Sequence, residues 1–546
     1  QGVTWVRAAF EVPESCLDIP IRGSQLRVMT ENGRAMFAPL EVYIDGRLAL
    51  SERSWMDFKC PEGIVTERAE PGRRHTVAFR FDFGDKCYWL NDFSLRILSD
   101  AVEKNAMHIR SIIEELQYME GFDGADAPLA QSYALLEAAA DTGSVRAVRR
   151  AEAESRALFE GFRDRVKRSQ VYLVGHAHID MNWFWSMEET RDIVRRDFET
   201  MTNLMDEYPD FKFSQSQCAT YDIAREDCPE IFEKIKTRAA EGRWDVTAST
   251  WVEGDLNMAQ GESIARHVLY AKRFLKDHFG SLPAIMWCPD TFGHPATLPQ
   301  ILKKTGIRRY YHMRCGLGVG AHEDQGFSML DDSRQTPVYW WTGADGSRVL
   351  TVNTIYNRTL DTRGILRASR RMSKLGVDKA MLAYGVGDHG GGPTRRDIDW
   401  VREIRDFPTV PGILFATTDE YYGAIEAGGY SLPERAGEMN FVFDGCYTTH
   451  ADVKRGNRLC EQKLMATEAL CVIAGDFGMA YPMEELRALW RRTLFNQFHD
   501  ILDGSGVKDT YRFTSAEYDN ILNRLGALEA AASSASCCAS GWPDAF

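Results

Sequence analysis

Between Val171 and about Phe415, apolar runs typical of strands alternate with segments whose apolar residues follow helical spacing. The strand-like runs include VYLVGHAH, FKFSQSQ and AIMWCPD, and the helical segments include DIVRRDFETMTNLMDEY and GESIARHVLYAKRFLKDHFG. Such alternation predicts a parallel sheet covered by helices. We therefore expect a parallel-sheet α/β barrel over residues 169–432, with its chemistry at the carboxyl ends of the strands.

The flanking regions have different patterns. Short alternating runs up to about Leu98, such as LEVYIDG and HTVAFRFDF, are separated by Gly, Pro and Asn turns and indicate an antiparallel β domain. Charged helical segments up to about Arg168 predict a helical linker, so residues 1–168 form the first domain. Long helical segments over 433–546 predict a helical bundle packed on the barrel, and His499 within it is its candidate contribution to the active site. A chain of 546 residues is also too long for one core, so the fold class is multidomain α/β.

Charge and cysteine use exclude several kinds of partner and site. A net charge of −14 repels phosphates, which argues against a nucleic acid or an anionic membrane and favours a neutral substrate. No run is long enough to cross a bilayer. The 12 cysteines include no C-x-x-C pair, which favours a reducing, cytoplasmic compartment. Because the chain starts at Gln1, a lost signal peptide is the alternative; homo-oligomerisation is left open.

The stretch VGHAHIDMNWFW carries the first candidate site. On a strand, the period of two directs His176, His178 and Asp180 to one face. Two imidazoles and a carboxylate are costly to bury unpaired, so we interpret this cluster as metal-binding rather than as core. Trp183 and Trp185 follow, and flat apolar faces beside a polar centre suit a sugar.

Further polar groups follow other strands or end a helix. Asp290 follows the run AIMWC, at the same carboxyl edge, and could serve as metal ligand and nucleophile. Asp388 and His389 lie in a glycine-rich loop that lacks the lysine of a phosphate-binding loop. His499 and Asp500 are expected to end an amphipathic helix. For WVEGDLN, containing Trp251, Glu253 and Asp255, substrate contact and plain packing are both open.

Seven segments in this order resemble the α-mannosidases of glycoside hydrolase family 38, most closely the cytosolic and bacterial branch. They are HAHIDMNWFW, WVEGDLN, CPDTFGHPATLPQILKKTGI, WWTGADGSRV, YGVGDHGGGPT, GCYTTHADVKRGNRLCE and NQFHDILDGS. The resemblance implies a zinc-dependent hydrolase of terminal α-mannosyl residues in glycans. Members of the family usually continue into large C-terminal β domains, which this sequence lacks, so we expect a truncated chain.

The resemblance also implies the roles of single residues. One Zn²⁺ per chain would be held by four side chains, those of His178, Asp180, Asp290 and His499. Two imidazoles and two carboxylates suit zinc. The mechanism would be retaining, with Asp290 as nucleophile and Asp388 as acid/base. His389, the next residue, is the alternative to Asp388, because a histidine transfers protons at neutral pH.

Four further positions would contact the sugar. Trp183 matches a sugar platform and Phe292 matches an aromatic lining residue of the family. Asp500 would bind a sugar hydroxyl, and Arg314 would orient a carboxylate through charge-assisted hydrogen bonds. For these last two, structural ion pairs are the other reading.

One departure and two alternative functions accompany this hypothesis. Where the branch has Glu-x-His, this chain has Phe441, Val442 and Phe443, so we expect a different linkage or aglycone preference. A His-x-His pair at a first strand also resembles amidohydrolases, in which a metal-bound water attacks an amide or ester. The third reading is a catalytically inactive glycan-binding relative.

Overall fold

A computed structural model describes residues 3–31, 40–52, 62–82, 94–314, 337–439 and 443–540 of the chain. The chain divides into two compact units. The first consists of residues 1–168, 361–366 and 404–411, and the second of residues 169–360, 367–403 and 412–546. The helices that follow residue 433 belong to the second unit, and the three-domain division expected from the sequence stays a prediction.

The first unit begins with antiparallel β-structure. One sheet has the strand order β1-β8-β5-β6, a second has β7-β4-β9, and β2 pairs with β3. The strands are β1 Val3–Glu11, β2 Ser15–Cys16, β3 Ile19–Pro20, β4 Leu26–Glu31, β5 Leu40–Ile44, β6 Arg47–Glu52, β7 Glu62–Thr66, β8 Arg74–Asp82 and β9 Ser94–Ser99.

Strand β8 shows why these residues form a sheet with one buried face. Val77, Phe79 and Phe81 alternate with more exposed residues and are almost completely buried, as the period of two requires. Asp45 and Gly46 join β5 to β6 with φ of 50° and 80°. Positive φ at both positions suits a tight hairpin turn, which explains the Asp-Gly pair.

Helices complete the first unit around a buried charge network. Arg156 donates hydrogen bonds of 2.8 and 2.7 Å to the carboxylate of Glu115, and it also pairs with Glu152. Its guanidinium carbon lies 3.8 Å from the centroid of the Phe407 ring. Since both glutamates are fully buried, this arginine compensates their charge. The helices are α1 Asp100–Met119, α2 Asp126–Ala140, α3 Val145–Leu158 and α4 Arg163–Lys167.

The second unit contains two five-stranded sheets. In the first sheet all pairs are parallel, in the order β12-β11-β10-β17 with β18 also beside β10. The second has the order β13-β14-β16-β15-β19, and only its β15–β16 pair is antiparallel. The strands are β10 Gln170–His176, β11 Phe213–Gln215, β12 Trp244–Val246, β13 Ile285–Trp287, β14 Arg309–His312, β15 Val338–Thr342, β16 Arg348–Asn353, β17 Lys379–Tyr384, β18 Gly412–Phe415 and β19 Glu434–Ala436.

These sheets confirm the predicted mixed α/β fold with parallel strands. Strand β10 is buried on both faces from Val171 to His176, as its continuous apolar run indicates for a central parallel strand. The described strand pairs form two sheets rather than one closed ring, and barrel closure stays a prediction.

Helices connect and follow these strands. None of those in the described part of the chain combines the length and apolar character that a bilayer-spanning segment needs. The helices are α5 Met187–Glu207, α6 Cys218–Asp227, α7 Pro229–Ala240, α8 Gly261–Phe279, α9 Leu298–Lys304, α10 Thr362–Ser373, α11 Arg395–Ile404, α12 Thr418–Ala427, α13 Ala451–Gly475, α14 Met483–Phe495, α15 His499–Asp503 and α16 Lys508–Ser540.

One local expectation from the sequence is wrong. His499 and Asp500 do not end the amphipathic helix α14, which stops at Phe495. Phe498 has φ −51° and ψ 141°, an extended conformation that interrupts the helix, and its backbone pairs with that of Gly254. His499 therefore begins the short helix α15, positioned by a loop elsewhere in the second unit.

Candidate metal centre and catalytic site

The extended segment after β10 carries two of the predicted ligands. The Asp180 N–H donates to the Asp388 carbonyl at 2.9 Å, and the Gly390 N–H donates to the His178 carbonyl at 3.2 Å. Ile179 and His389 form an antiparallel bridge between these two segments. Because side chains alternate along extended chain, His178 and Asp180 point to the same side, and both are 1% exposed.

The four predicted metal ligands meet at one point. One nitrogen or oxygen of each of His178, Asp180, Asp290 and His499 lies within 4.8 Å of the others. His178 Nε2 is 2.9 Å from Asp180 Oδ1 and 3.9 Å from Asp290 Oδ2. His499 Nε2 is 3.5 Å from Asp180 Oδ1 and 3.9 Å from Asp290 Oδ2. Residues far apart in sequence thus form one buried cluster.

The chemistry of this cluster fits a divalent cation. His178 Nε2, Asp180 Oδ1 and His499 Nε2 are buried and make no hydrogen bond with any described residue. Burial lowers the pKa of His178, but Asp180 and then Glu253 raise it well above its ordinary value. Burial also lowers the pKa of His499, but Asp500 and Asp180 raise it to about 10. Positive charge at this point therefore stabilises the buried carboxylates, and a metal ion supplies such charge.

His176 does not join the four-residue cluster, although the sequence places it on the same face. Its Nδ1 lies 3.0 Å from the Ser214 carbonyl, and its Nε2 accepts a hydrogen bond from Trp287 Nε1 at 3.2 Å. Burial lowers its pKa to about 4, so the ring stays neutral. Since β10 ends at His176, the strict alternation of a strand does not extend from this residue to Asp180.

Asp290 is held by an arginine. It follows β13, and its Oδ1 is paired with Nε of Arg314. The Arg314 N–H donates to the Pro289 carbonyl at 3.1 Å, while His294 Nε2 and His312 Nδ1 lie 3.4 and 2.8 Å from the Arg314 carbonyl. The arginine is thus anchored through its backbone, and Asp290 keeps Oδ2 directed at His178 and His499.

Asp388 and His389 point in different directions. Asp388 Oδ1 accepts hydrogen bonds from Asn357 Nδ2 at 3.2 Å and from the Tyr356 hydroxyl at 3.4 Å. Burial, and then Asp290 and Asp388, raise the pKa of Tyr356, so both carboxylates act on this hydroxyl. His389 instead places Nε2 2.7 Å from Glu189 Oε1 and packs edge-on against Trp185. Of the two candidates, Asp388 faces the cluster.

Of the two predicted aromatic residues, Phe292 lies beside this cluster, and Trp183 lies in the segment that follows Asp180. The Phe292 ring centroid is 5.6 Å from that of His499 and 4.9 Å from that of Phe443. Trp183 is half-buried and stacks on Phe184 with a centroid distance of 3.9 Å. Its carbonyl accepts from the Val507 N–H at 2.9 Å, which ties this turn to the loop before α16.

Asp500, the last predicted contact, lies directly against a metal-ligand candidate. Its Oδ2 is 3.5 Å from His499 Nε2, and its Oδ1 accepts a hydrogen bond from the Ser505 hydroxyl at 2.8 Å. Burial and then Asp180 raise its pKa well above its ordinary value. The structure therefore brings Phe292, Arg314 and Asp500 to the four candidate ligands. It brings Asp388 to Tyr356, which packs on the His178 ring.

Sequence reasoning missed Tyr356 and left the role of Glu253 open. Tyr356 packs edge-on against the His178 ring at 4.8 Å, and no sequence pattern marks it. Glu253 contacts both His178 and His499. In the sequence, Glu253 alternates with Trp251 and Asp255 after a strand, which marks it as a candidate. This pattern does not distinguish substrate contact from packing.

Comparison with known proteins decides the family. Residues 168–445 match the profile described as Glycosyl hydrolases family 38 N-terminal domain, and residues 442–535 match the profile described as Alpha mannosidase middle domain. The chain belongs to glycoside hydrolase family 38. The resemblance inferred from the seven sequence segments is thereby confirmed.

Relatives of this family 38 chain are named α-mannosidases. It is 36% identical to Alpha-mannosidase G of Dictyostelium discoideum over 349 residues, covering 63% of this chain and 31% of that protein. It is 30% identical to human Alpha-mannosidase 2C1 over 381 residues, covering 68% and 36%. The chain thus spans about a third of the length of these relatives. An α-mannosidase crystal structure from Enterococcus faecalis V583 shares the fold, with a TM-score of 0.59 at 18% identity, covering 67% of this chain and 42% of that chain.

Proposed function

We propose that this chain is the catalytic part of a zinc-dependent retaining α-mannosidase that removes terminal α-mannosyl residues from glycans. The observation that carries the proposal is the buried meeting of His178, Asp180, Asp290 and His499 in a family 38 chain. The names of the relatives supply the substrate class. The negative charge of the whole chain, −14, suits a neutral sugar.

His178, Asp180, Asp290 and His499 would hold one zinc ion per chain. Two nitrogens and two oxygens form a donor set that zinc accepts. When bound, zinc would supply a Lewis acid that chelates the cis 2- and 3-hydroxyls of a mannoside and favours distortion of the ring. Asp290 Oδ2 is the oxygen that faces the two imidazoles.

Asp290 would attack the anomeric carbon. Its other oxygen, Oδ1, is held by Arg314, whose guanidinium also lies 4.9 Å from the centroid of the Phe443 ring. This contact orients the carboxylate, which a nucleophile requires. The bond from the anomeric carbon to the leaving oxygen breaks as Asp290 forms a glycosyl ester.

Asp388 would donate the proton that the leaving oxygen takes up. It would then remove a proton from water, whose oxygen attacks the anomeric carbon and releases Asp290. The Tyr356 and Asn357 hydrogen bonds hold one oxygen of Asp388. His389 is engaged with Glu189 and Trp185, which favours Asp388 for this role.

Trp183 and Phe292 would pack against apolar faces of the sugar, and Asp500 would accept a hydrogen bond from a sugar hydroxyl. Phe443 lies against Phe292 and near Arg314, so an apolar ring occupies part of the segment where relatives of this branch carry polar residues. Its neighbours Phe441 and Val442 lie outside the described residues. We infer an altered aglycone or linkage preference.

Neither alternative function gains support. The amidohydrolase reading needs further histidines as metal ligands, but both ring nitrogens of His176 already contact protein groups, and the family match points elsewhere. An inactive glycan-binding protein would need neither Asp290 nor Asp388 as a reacting group. We also propose that the parallel strands close into a barrel with the C-terminal helices as a bundle beside it, and that the protein is cytoplasmic. The seven cysteines for which the structure describes side chains are all free, which is consistent with a reducing compartment.

The test is a time course of NMR spectra with the purified chain and an aryl α-mannoside, with an aryl α-glucoside as the control substrate. We expect release of α-mannose first, loss of activity on chelation, and recovery with Zn²⁺. Asp290→Asn should abolish turnover, with near-ultraviolet circular dichroism confirming its fold. Full activity after complete metal removal would refute the role of zinc, and release of β-mannose first would refute retention.

A further inference from the structure

Glu253 touches both imidazoles of the cluster. Its Oε2 lies 3.3 Å from His178 Nδ1, and its carbonyl oxygen lies 2.7 Å from His499 Nδ1. Each ring therefore presents Nδ1 to Glu253 and Nε2 to the carboxylates of Asp180 and Asp290. One residue thus contacts the outer nitrogen of both rings.

Packing and hydrogen bonds fix the Glu253 side chain. The residue is fully buried, its Oε1 accepts a hydrogen bond from the Ser216 hydroxyl, and its N–H donates to Gln217 Oε1 at 3.1 Å. Gln217 Nε2 in turn donates to the Ile179 carbonyl at 2.9 Å. Because Ile179 lies between His178 and Asp180, this chain of contacts ties Glu253 to the segment that carries both ligands.

The backbone carbonyl of Glu253 is placed just as firmly. The Asp255 N–H donates to the Gln497 carbonyl at 2.8 Å, and Gly254 bridges to Phe498. A Cβ atom at Gly254 would lie 3.0 Å from the Gln497 carbonyl oxygen, closer than most real Cβ contacts, so glycine suits this approach. The turn before His499 is thereby docked onto the backbone of residues 253–255.

Oε2 of Glu253 and Nδ1 of His178 have no hydrogen-bond partner among the described residues, and both are buried. A buried carboxylate oxygen is destabilising unless a hydrogen-bond donor faces it. The His178 Nδ1–H is the available compensation. A carboxylate behind a metal-binding histidine fixes its tautomer and makes the other nitrogen a better ligand.

We propose that Glu253 is a positioning residue that holds the proton of His178 on Nδ1 and aims both imidazoles, through its carboxylate and its carbonyl, at the bound metal ion. The inference rests on the proposed function, in which His178 and His499 are metal ligands. It adds a residue that acts on the ion through the histidines.

The experiment measures the dissociation constant for Zn²⁺ of the purified full chain by competition with a chromophoric chelator. Glu253→Met removes the acceptor, and we expect zinc binding to weaken by about 10 to 100-fold. Glu253→Gln keeps an oxygen that can accept the Nδ1–H but lacks the charge, and we expect partial rescue, within about tenfold of wild type. Glu152→Gln, at a fully buried glutamate of the first unit whose Oε1 lies 3.2 Å from His108 Nδ1, is the matched control and should bind zinc like wild type.

The thermal midpoint of each metal-free variant separates positioning from plain stability. If Glu253 serves only the fold, both variants lower this midpoint while their folded molecules keep the wild-type dissociation constant, and the proposal is overturned. If Glu253→Met does not fold, the zinc dissociation constant of Glu253→Gln provides the test. Asp180→Ala tests the metal centre itself. If zinc binding is lost in Asp180→Ala but unchanged in both Glu253 variants, the metal centre stands and only the role of Glu253 is contradicted. No zinc binding by wild type sinks it together with the proposed metal centre.

Discussion

Replacing Gly390 with alanine should damage the loop that carries Asp388. Gly390 has φ +70°, and an added Cβ would overlap Oδ2 of Asp197 and approach Cγ2 of Ile193 to 2.7 Å. That same Asp197 oxygen accepts a hydrogen bond of 2.7 Å from the Gly391 N–H. Because Asp197 is 2% exposed, it cannot turn aside into solvent. The new methyl group therefore breaks the bond that holds the loop.

Two contributions determine how much free energy of unfolding Gly390→Ala loses. Alanine in the left-handed region costs about 1–2 kcal/mol. Losing a buried hydrogen bond to a charged group costs about 1.5–3 kcal/mol more. Gly346→Ala is the matched control, because Gly346 has φ +79° with no atom within 4 Å of the added Cβ. We expect the control to lose about 1–2 kcal/mol, so the difference between the two variants isolates the overlap with Asp197.

Urea unfolding measures both free energies, and hydrolysis of an aryl α-mannoside measures kcat/KM. Since Asp388, the proposed acid/base, is two residues away, we expect Gly390→Ala to lower kcat/KM on the order of a hundredfold and Gly346→Ala to leave it unchanged. Asp197→Ala should make the Gly390 change less costly, with a coupling of about 0.5–3 kcal/mol in the double variant. Equal stability and equal activity of the two glycine variants would refute the reasoning.

Three further predictions concern buried ionisable groups. Arg156→Met should destabilise the first unit by about 3–5 kcal/mol, because it removes the arginine that pairs with buried Glu115 and one of the two arginines that pair with buried Glu152. The exposed control Arg512→Met should change stability by less than about 0.5 kcal/mol in the same urea titration. Burial holds the pKa of His267 and of His312 at about 4, below the ordinary 6.5. Between pH 4 and 6.5 the unfolded chain therefore binds more protons than the folded chain. The free energy of unfolding is highest above pH 6.5 and falls towards pH 4, by about 3 kcal/mol per histidine at most. His267→Gln should make this fall of the unfolding free energy with pH less steep. Arg314→Met should lower kcat about a hundredfold by freeing the Asp290 carboxylate, and an unchanged kcat would contradict the orienting role.

Much of the second unit could be predicted because its signals are local. The apolar run of β10 shows a buried parallel strand, and the spacing of His178 and Asp180 places both on one side of extended chain. Asp290 follows β13 in the same way. The grouping of these residues with His499 came from the resemblance to a family, because no local pattern in a helix shows which strand ends it will face.

The contacts that orient the site were beyond prediction from sequence. The break before His499 depends on Phe498 pairing with Gly254 rather than on any helix-breaking residue. Whether Asp388 or His389 faces the cluster depends on the register of that loop against the segment after β10.

By itself, the amino-acid sequence determined the alternation of strands and helices, the residue types that can bind a metal, and the family. Period and composition are properties of neighbouring residues, so they can be read along the chain. Only the tertiary structure decided which nitrogen of each imidazole faces the cluster and that Glu253 contacts both rings. These orientations depend on hydrogen bonds and close packing between segments far apart in sequence, which no local pattern records.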